Sequence, residues 1–148
     1  MAEPQPGPQA PRPTRSGPGV VLVALYGLLA LAATGRSVLQ ISENFSHAPL
    51  AYLLSALAAV IYIVATVALV RGDRTSRRVA LVAISVELLG VLVVGAASYR
   101  AKDAFPDKTV WSHFGSGYGF VPLVLPVLGL LWLRHTAGSG NRVRSPGA

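Results

Sequence analysis

Six acidic residues and three histidines are the groups available for acid–base or metal chemistry, and one of them, Glu87, falls inside a long apolar run. A carboxyl buried that deeply in a membrane segment costs on the order of 3 kcal/mol to insert. It therefore marks either a site or a structural tie. As a site, Glu87 exchanges protons or binds a cation. As a tie, it stays protonated and hydrogen-bonds a tyrosine, or the carbonyl that Pro126 leaves without its helical donor, and so fixes helix register. Counting inward from Arg78 puts Glu87 about 13 Å deep at the helical rise. The same counting from the inner ends of the other runs brings Tyr62 and Pro126 to that depth and Tyr26 close to it. The expectation is a polar layer of Glu87, Tyr62 and Tyr26 near the midplane, with a backbone carbonyl freed at residue 122.

The segment Arg100–Ser112 is the other place where chemistry could sit. Asp103 or Asp107 with Ser112 and His113 would make a hydrolytic set. Pro106 breaks the helix that would align the aspartates, and adjacent Ser and His side chains have nothing to orient them toward each other. A solvated loop is the expectation there. The chain has no cysteine, which excludes disulfides and thiolate metal sites. His47, His113 and His135 are far apart, and no Walker loop, G-x-G-x-x-G or H-E-x-x-H occurs. No catalytic residue, metal site, cofactor or enzymatic activity is expected.

The elements that must carry Glu87 follow from where charge is missing. Charged residues make up 13% of the 148, against roughly 25% for a soluble domain. Residues 48–70 and 114–133 carry no charge, and residues 79–99 carry only Glu87. Runs of this length match the ~20 apolar residues needed to cross a bilayer, and backbone groups in lipid require them to be helical. Four helices are predicted, at about 18–40, 49–70, 79–99 and 114–133. The first run also has the look of a signal peptide, with Leu31–Ala33 as a small-residue cleavage site. The long proline-rich leader before it favours a retained helix, with Arg36 snorkelling to the headgroups. Residues 1–17, dense in proline, and the basic residues 136–148 are expected to be disordered tails flanking a transmembrane domain at 18–135.

Charge also predicts orientation. Nine Lys and Arg residues lie in the two tails and the loop after the second helix, and four lie in the other two loops. This asymmetry places both termini in the cytoplasm, with Arg71, Arg74, Arg77 and Arg78 as a lipid-headgroup anchor. Such a distribution accounts for the net charge of +7 without nucleic acid as a partner. Trp111 and Tyr118 are expected in an outer aromatic belt, and Trp132 in the inner one.

Helix association in lipid relies on close packing of small residues. Spacing of three and four puts such residues on one face: Ala51, Ser55 and Ala59 in the second helix, Ala83, Glu87 and Gly90 in the third, and Gly115, Gly119, Pro122, Pro126 and Gly129 in the fourth. The predicted fold is all-α, a transmembrane antiparallel four-helix bundle with both termini inside.

The stretch FPDKTVWSHFGSGYGFVPLVLPVLGLLWL (Phe105–Leu133), with APLAYLLSALAAVIYIVATVAL (Ala48–Leu69) and ELLGVLVVG (Glu87–Gly95), resembles small integral membrane proteins of high-GC Gram-positive bacteria. The resemblance implies a four-helix protein of the bacterial inner membrane and brings no functional residues with it. Abundant packing stripes and scarce chemistry point to an accessory component of a larger membrane complex or of a homo-oligomer. The alternative is a small oligomeric proton- or cation-coupled transporter using Glu87.

Overall fold

The computed structural model describes residues 17–101, 103 and 108–142, with side chains up to residue 136. Of the tails expected at 1–17 and 136–148, residues 1–16 and 143–148 lie outside the described residues, as does Asp107. Four helices, α1 (Gly17–Asn44), α2 (Pro49–Arg71), α3 (Arg74–Arg100) and α4 (Val121–Arg142), account for most of the chain, and a 3-10 segment (Ser112–Tyr118) precedes α4. No strand occurs among the described residues.

Helices α1, α2 and α3 are each long and apolar enough to cross a membrane. A fourth span results if the 3-10 segment and the first part of α4 are counted together, although they meet at 97°. Each helix packs on the next in sequence, and α1 also touches α4. The distribution of side chains is the reverse of that in a water-soluble domain. Large residues such as Leu28, Leu31, Leu53, Val60, Leu89 and Leu131 face outward, while Ala33, Ala51, Ala58, Ala65 and Ala80 fill the interior. Small interior residues let helix backbones approach where lipid offers no hydrophobic drive.

Helix boundaries follow local signals. Pro49 opens α2, where its missing N–H is not needed. Gly72 ends α2 in the left-handed conformation, with φ of 68° and its N–H on the Ala68 carbonyl at 3.2 Å. Asp73 then caps α3, accepting from the Ser76 N–H at 3.4 Å and from the Ser76 hydroxyl. The connection between α2 and α3 is therefore only two residues long. Arg74, Arg77 and Arg78, expected in a loop, lie in the first turns of α3, which begins five residues earlier than predicted. Helix α1 runs four residues past Gln40, and α4 continues to Arg142 where a tail was expected. The Thr136 hydroxyl bonds the Trp132 and Leu133 carbonyls there, both at 3.1 Å, which supports this extension.

The largest departure is at the fourth predicted helix. Residues 114–120 do not belong to it. His113, Phe114 and Gly115 have φ of 53°, 59° and 80°, and Gly119 and Phe120 have 63° and 61°. Gly115 and Gly119 thus form a bend, which overturns the reading of their spacing as one face of the fourth helix. A Cβ on Gly115 would lie 2.8 Å from the Pro122 ring, whereas one on Gly119 would meet nothing within 4 Å. Pro122 is the second residue of α4 and is buried, a placement typical of a helix start.

Candidate functional site

The interior layer is built from three helices and the segment before α4. Glu87 on α3 is fully buried, and the Tyr26 hydroxyl on α1 donates to its Oε2 at 2.8 Å. Tyr62 on α2 is also fully buried, with its ring 6.3 Å from that of Tyr26. The Trp111 indole N–H donates to the Tyr62 hydroxyl at 2.9 Å. A Cβ on Gly129 of α4 would lie 3.7 Å from the Tyr26 hydroxyl, which brings the fourth helix against the same group. The three residues expected in one layer are therefore brought together, and Pro126 is buried within α4.

Trp111 is the member that sequence reasoning missed. It was expected in an interfacial belt, but it is 2% exposed and inserted against α3. Gly90 makes this insertion fit, because a Cβ there would stand 2.7 Å from the indole ring. The three atoms nearest a Cβ on Gly90 all belong to the indole, so this expected helix-packing position receives an aromatic ring from the segment before α4. Gly95, one turn and a half further along α3, receives the Phe114 ring in the same manner. The Thr109 side chain accepts the Trp111 N–H at 3.0 Å, and the Ser98 hydroxyl accepts the His113 N–H at 2.9 Å. These bonds hold the left-handed backbone of residues 113–115, a conformation that costs roughly 1–3 kcal/mol per strained residue.

One oxygen of the layer is left over. Glu87 Oε1 is buried and has no hydrogen-bond partner. Four other buried side-chain atoms share that condition: Arg36 Nε, Ser37 Oγ, Gln40 Oε1 and Ser55 Oγ. Arg36 itself is half-buried and donates to the Lys108 carbonyl at 2.6 Å, so it tethers the segment before α4 and does not simply reach for headgroups. Of the other predicted packing positions, Ser55 is fully buried, and Ala83, 7% exposed, lines a groove between α2 and α3.

Among the described residues, Asp103, Ser112 and His113 do not assemble as a hydrolytic set. The Ser112 hydroxyl accepts the Thr109 N–H at 2.8 Å and lies 3.0 Å from the Thr109 hydroxyl, while the His113 ring stands edge-on to Tyr99 at 4.6 Å. Asp103 is exposed. At the opposite end of the molecule, Arg71, Arg74 and Arg78, the expected headgroup anchor, are exposed. Arg77 departs from it: half-buried, it donates to the Leu133 carbonyl and the Thr136 hydroxyl of α4. Hydrogen bonding from Ser76 holds the exposed Asp73 carboxyl below the usual carboxylate range.

Comparison with protein-family models, with curated proteins and with solved structures gives no match to this chain.

Proposed function

We propose that this chain is a multi-pass protein of a bacterial cytoplasmic membrane, a four-helix bundle with both termini inside, that serves as an accessory or assembly component of a membrane complex. The observation that supports this reading is the use made of the interior polar groups. Tyr26 bonds Glu87 and Trp111 bonds Tyr62, which ties α1 to α3 and the segment before α4 to α2. The side chains with the most chemistry are thus engaged with one another. The outward face is a surface of large apolar residues on every helix, suited to lipid and to the helices of a larger partner. The basic cluster at the α2–α3 turn fits the cytoplasmic headgroup layer. The family resemblance in the C-terminal third agrees with the same placement.

The test is to extract the tagged chain in native-lipid discs and weigh the intact particle with whatever accompanies it. A larger protein at fixed stoichiometry supports the reading. A particle made of this chain alone, at any copy number, overturns it.

A second reading is favoured by Glu87 Oε1, buried without a partner. An unpaired carboxyl oxygen at mid-depth suits a proton- or cation-coupled transporter. This reading expects pH-dependent flux in proteoliposomes that disappears in Glu87→Gln with the fold intact. Flux that persists in that variant sinks it.

A further inference from the structure

Apolar grooves flank α3 on the outer surface of the bundle. The larger, about 470 Å³, lies between α3 and α4 and is walled by Leu81, Ser85 and Leu88 from one helix and by Val127, Leu131 and Arg134 from the other. A second, about 380 Å³, lies between α2 and α3, where Arg78 joins Val60, Val64, Val82 and Val86. Both volumes fall in the ~300–1,000 Å³ range of clefts that take small molecules. Helix α4 runs back along α3, because Arg77 in the first turn of α3 bonds the Leu133 carbonyl and the Thr136 hydroxyl. Arg134 therefore stands at the end of the larger groove nearest the α2–α3 turn. The α3 wall continues to that end. Arg74, Arg78, Leu81, Ser85 and Leu88 follow alternating steps of four and three, which is one helix face. Each groove is thus apolar along its length and cationic at the same end of the molecule.

Arg71, Arg74, Arg78 and Arg134 are all exposed there. Among the described residues, Asp73 is the one carboxylate at this end; it is bonded by Ser76, and the Arg71 charge acts on it. Arg74, Arg78 and Arg134 are left as a cationic rim. Arg74 and Arg78 also occupy the first turns of α3, the helix end where the dipole disfavours cations, and a phosphate beside them offsets that. An apolar strip ending in several guanidiniums matches a molecule that is hydrocarbon along its length and phosphate at its end. A partner helix fits the apolar length but must bring its own carboxylates to the rim. A soluble anion uses the rim and leaves the grooves empty. An anionic phospholipid supplies both parts at once.

We propose that this end of the bundle holds one anionic phospholipid at a defined site, its phosphate on Arg74, Arg78 and Arg134 and one acyl chain in the α3–α4 groove. Arg78 also lines the α2–α3 groove, which receives the second chain. The lipid is then a fixed part of the particle and not a passing member of the headgroup layer. This site goes beyond the accessory role and rests only on the chain lying in a membrane.

The test places the full chain in discs made from equal parts of phosphatidylglycerol and phosphatidylethanolamine with identical acyl chains, and weighs the lipid retained on the intact particle by native mass spectrometry. One phosphatidylglycerol per chain is expected, at least ~10-fold over phosphatidylethanolamine, since each arginine beside an anionic headgroup favours it about 5-fold. Equal retention of the two lipids, or retention of neither, overturns the proposal. Replacing Arg74, Arg78 and Arg134 together by Gln should bring the preference to within ~2-fold, while Arg100→Gln, at the other end of α3, should leave it unchanged. Ser85→Phe fills the α3–α4 groove from an exposed position without altering charge, and is expected to lower occupancy at least ~5-fold. A preference that falls with the arginines but ignores Ser85→Phe is attraction to a charged surface, and it overturns the groove site. Positions 74, 78, 85 and 134 are all exposed, so these variants keep the fold, which thermal melts in discs check. A companion protein appears as a separate mass in the same spectrum. Bound lipid without a companion keeps this site and removes the accessory reading, and a companion without bound lipid does the reverse.

Discussion

At the α2–α3 turn, Asp73 and Ser76 satisfy each other within one helical turn, and Arg77 reaches the end of α4. At the opposite end, Arg36, Ser37, Gln40 and Ser55 each keep a buried polar atom without a partner. The first end is closed by groups adjacent in sequence and one long side chain. The second is closed by a segment that folds back from far along the chain, with Trp111 meeting Tyr62 across 49 positions. A short, fully capped turn makes a fixed end. A folded-back segment makes an end whose closure depends on contacts between residues far apart in the chain.

The contrast can be broken most strongly at Gly90. Gly90→Leu drives a side chain into the Trp111 ring and is expected to cost about 1–3 kcal/mol or more through overpacking, expelling the segment before α4. Intrinsic Trp111 fluorescence should shift to the red, with Trp132→Phe as the background. An unshifted spectrum would mean that the indole is not seated there. Next in size is the bend. Gly119 has positive φ and open space around it, so Gly119→Leu is expected to cost about 1–2 kcal/mol through backbone strain. Gly119→Asn should recover most of that loss in thermal melts in discs, because asparagine tolerates the conformation. Equal losses in both variants would restore a packing role for Gly119. A smaller effect is expected for Trp111→Phe, which keeps an aromatic ring in place but loses the pyrrole half of the indole and with it one hydrogen bond, worth roughly 0.6–2 kcal/mol inside a membrane protein.

The smallest effect belongs to the fixed end. The Asp73 carboxyl titrates below its usual value when folded, so its contribution is present above the unfolded value and is lost as pH falls through the folded one. Asp73→Asn keeps a capping side chain and should flatten that acid limb of the stability curve. An acid limb unchanged in Asp73→Asn would show that another group causes it.

These differences also explain what could be read from the residues alone. The interior position of Glu87 follows from three-and-four spacing on one helix, and Tyr62 and Tyr26 follow from depth counting along straight helices. Such arguments work because a continuous helix converts residue number into height. They fail after residue 110, where consecutive positive φ values break that conversion. Gly115 and Gly119 match a helix-packing spacing, yet both are turn glycines. The available signal was Pro122, which fits the start of a helix better than its interior. Trp111 was misplaced for a different reason: indoles are at home in an interfacial belt, and only the gap left by Gly90 across the fold shows where this one goes. The loop after the second helix is legible from its charge, but the Asp73 cap that pulls the arginines into α3 is not.

The claim that the interior carboxyl binds the fold together is tested most directly by a double-mutant cycle between Tyr26→Phe and Glu87→Gln, with unfolding followed in lipid discs. A coupling energy of roughly 0.6–2 kcal/mol is expected for a buried interhelical hydrogen bond in a membrane protein. Additive effects, with no coupling between the two positions, would contradict the claim and leave Glu87 free for other work.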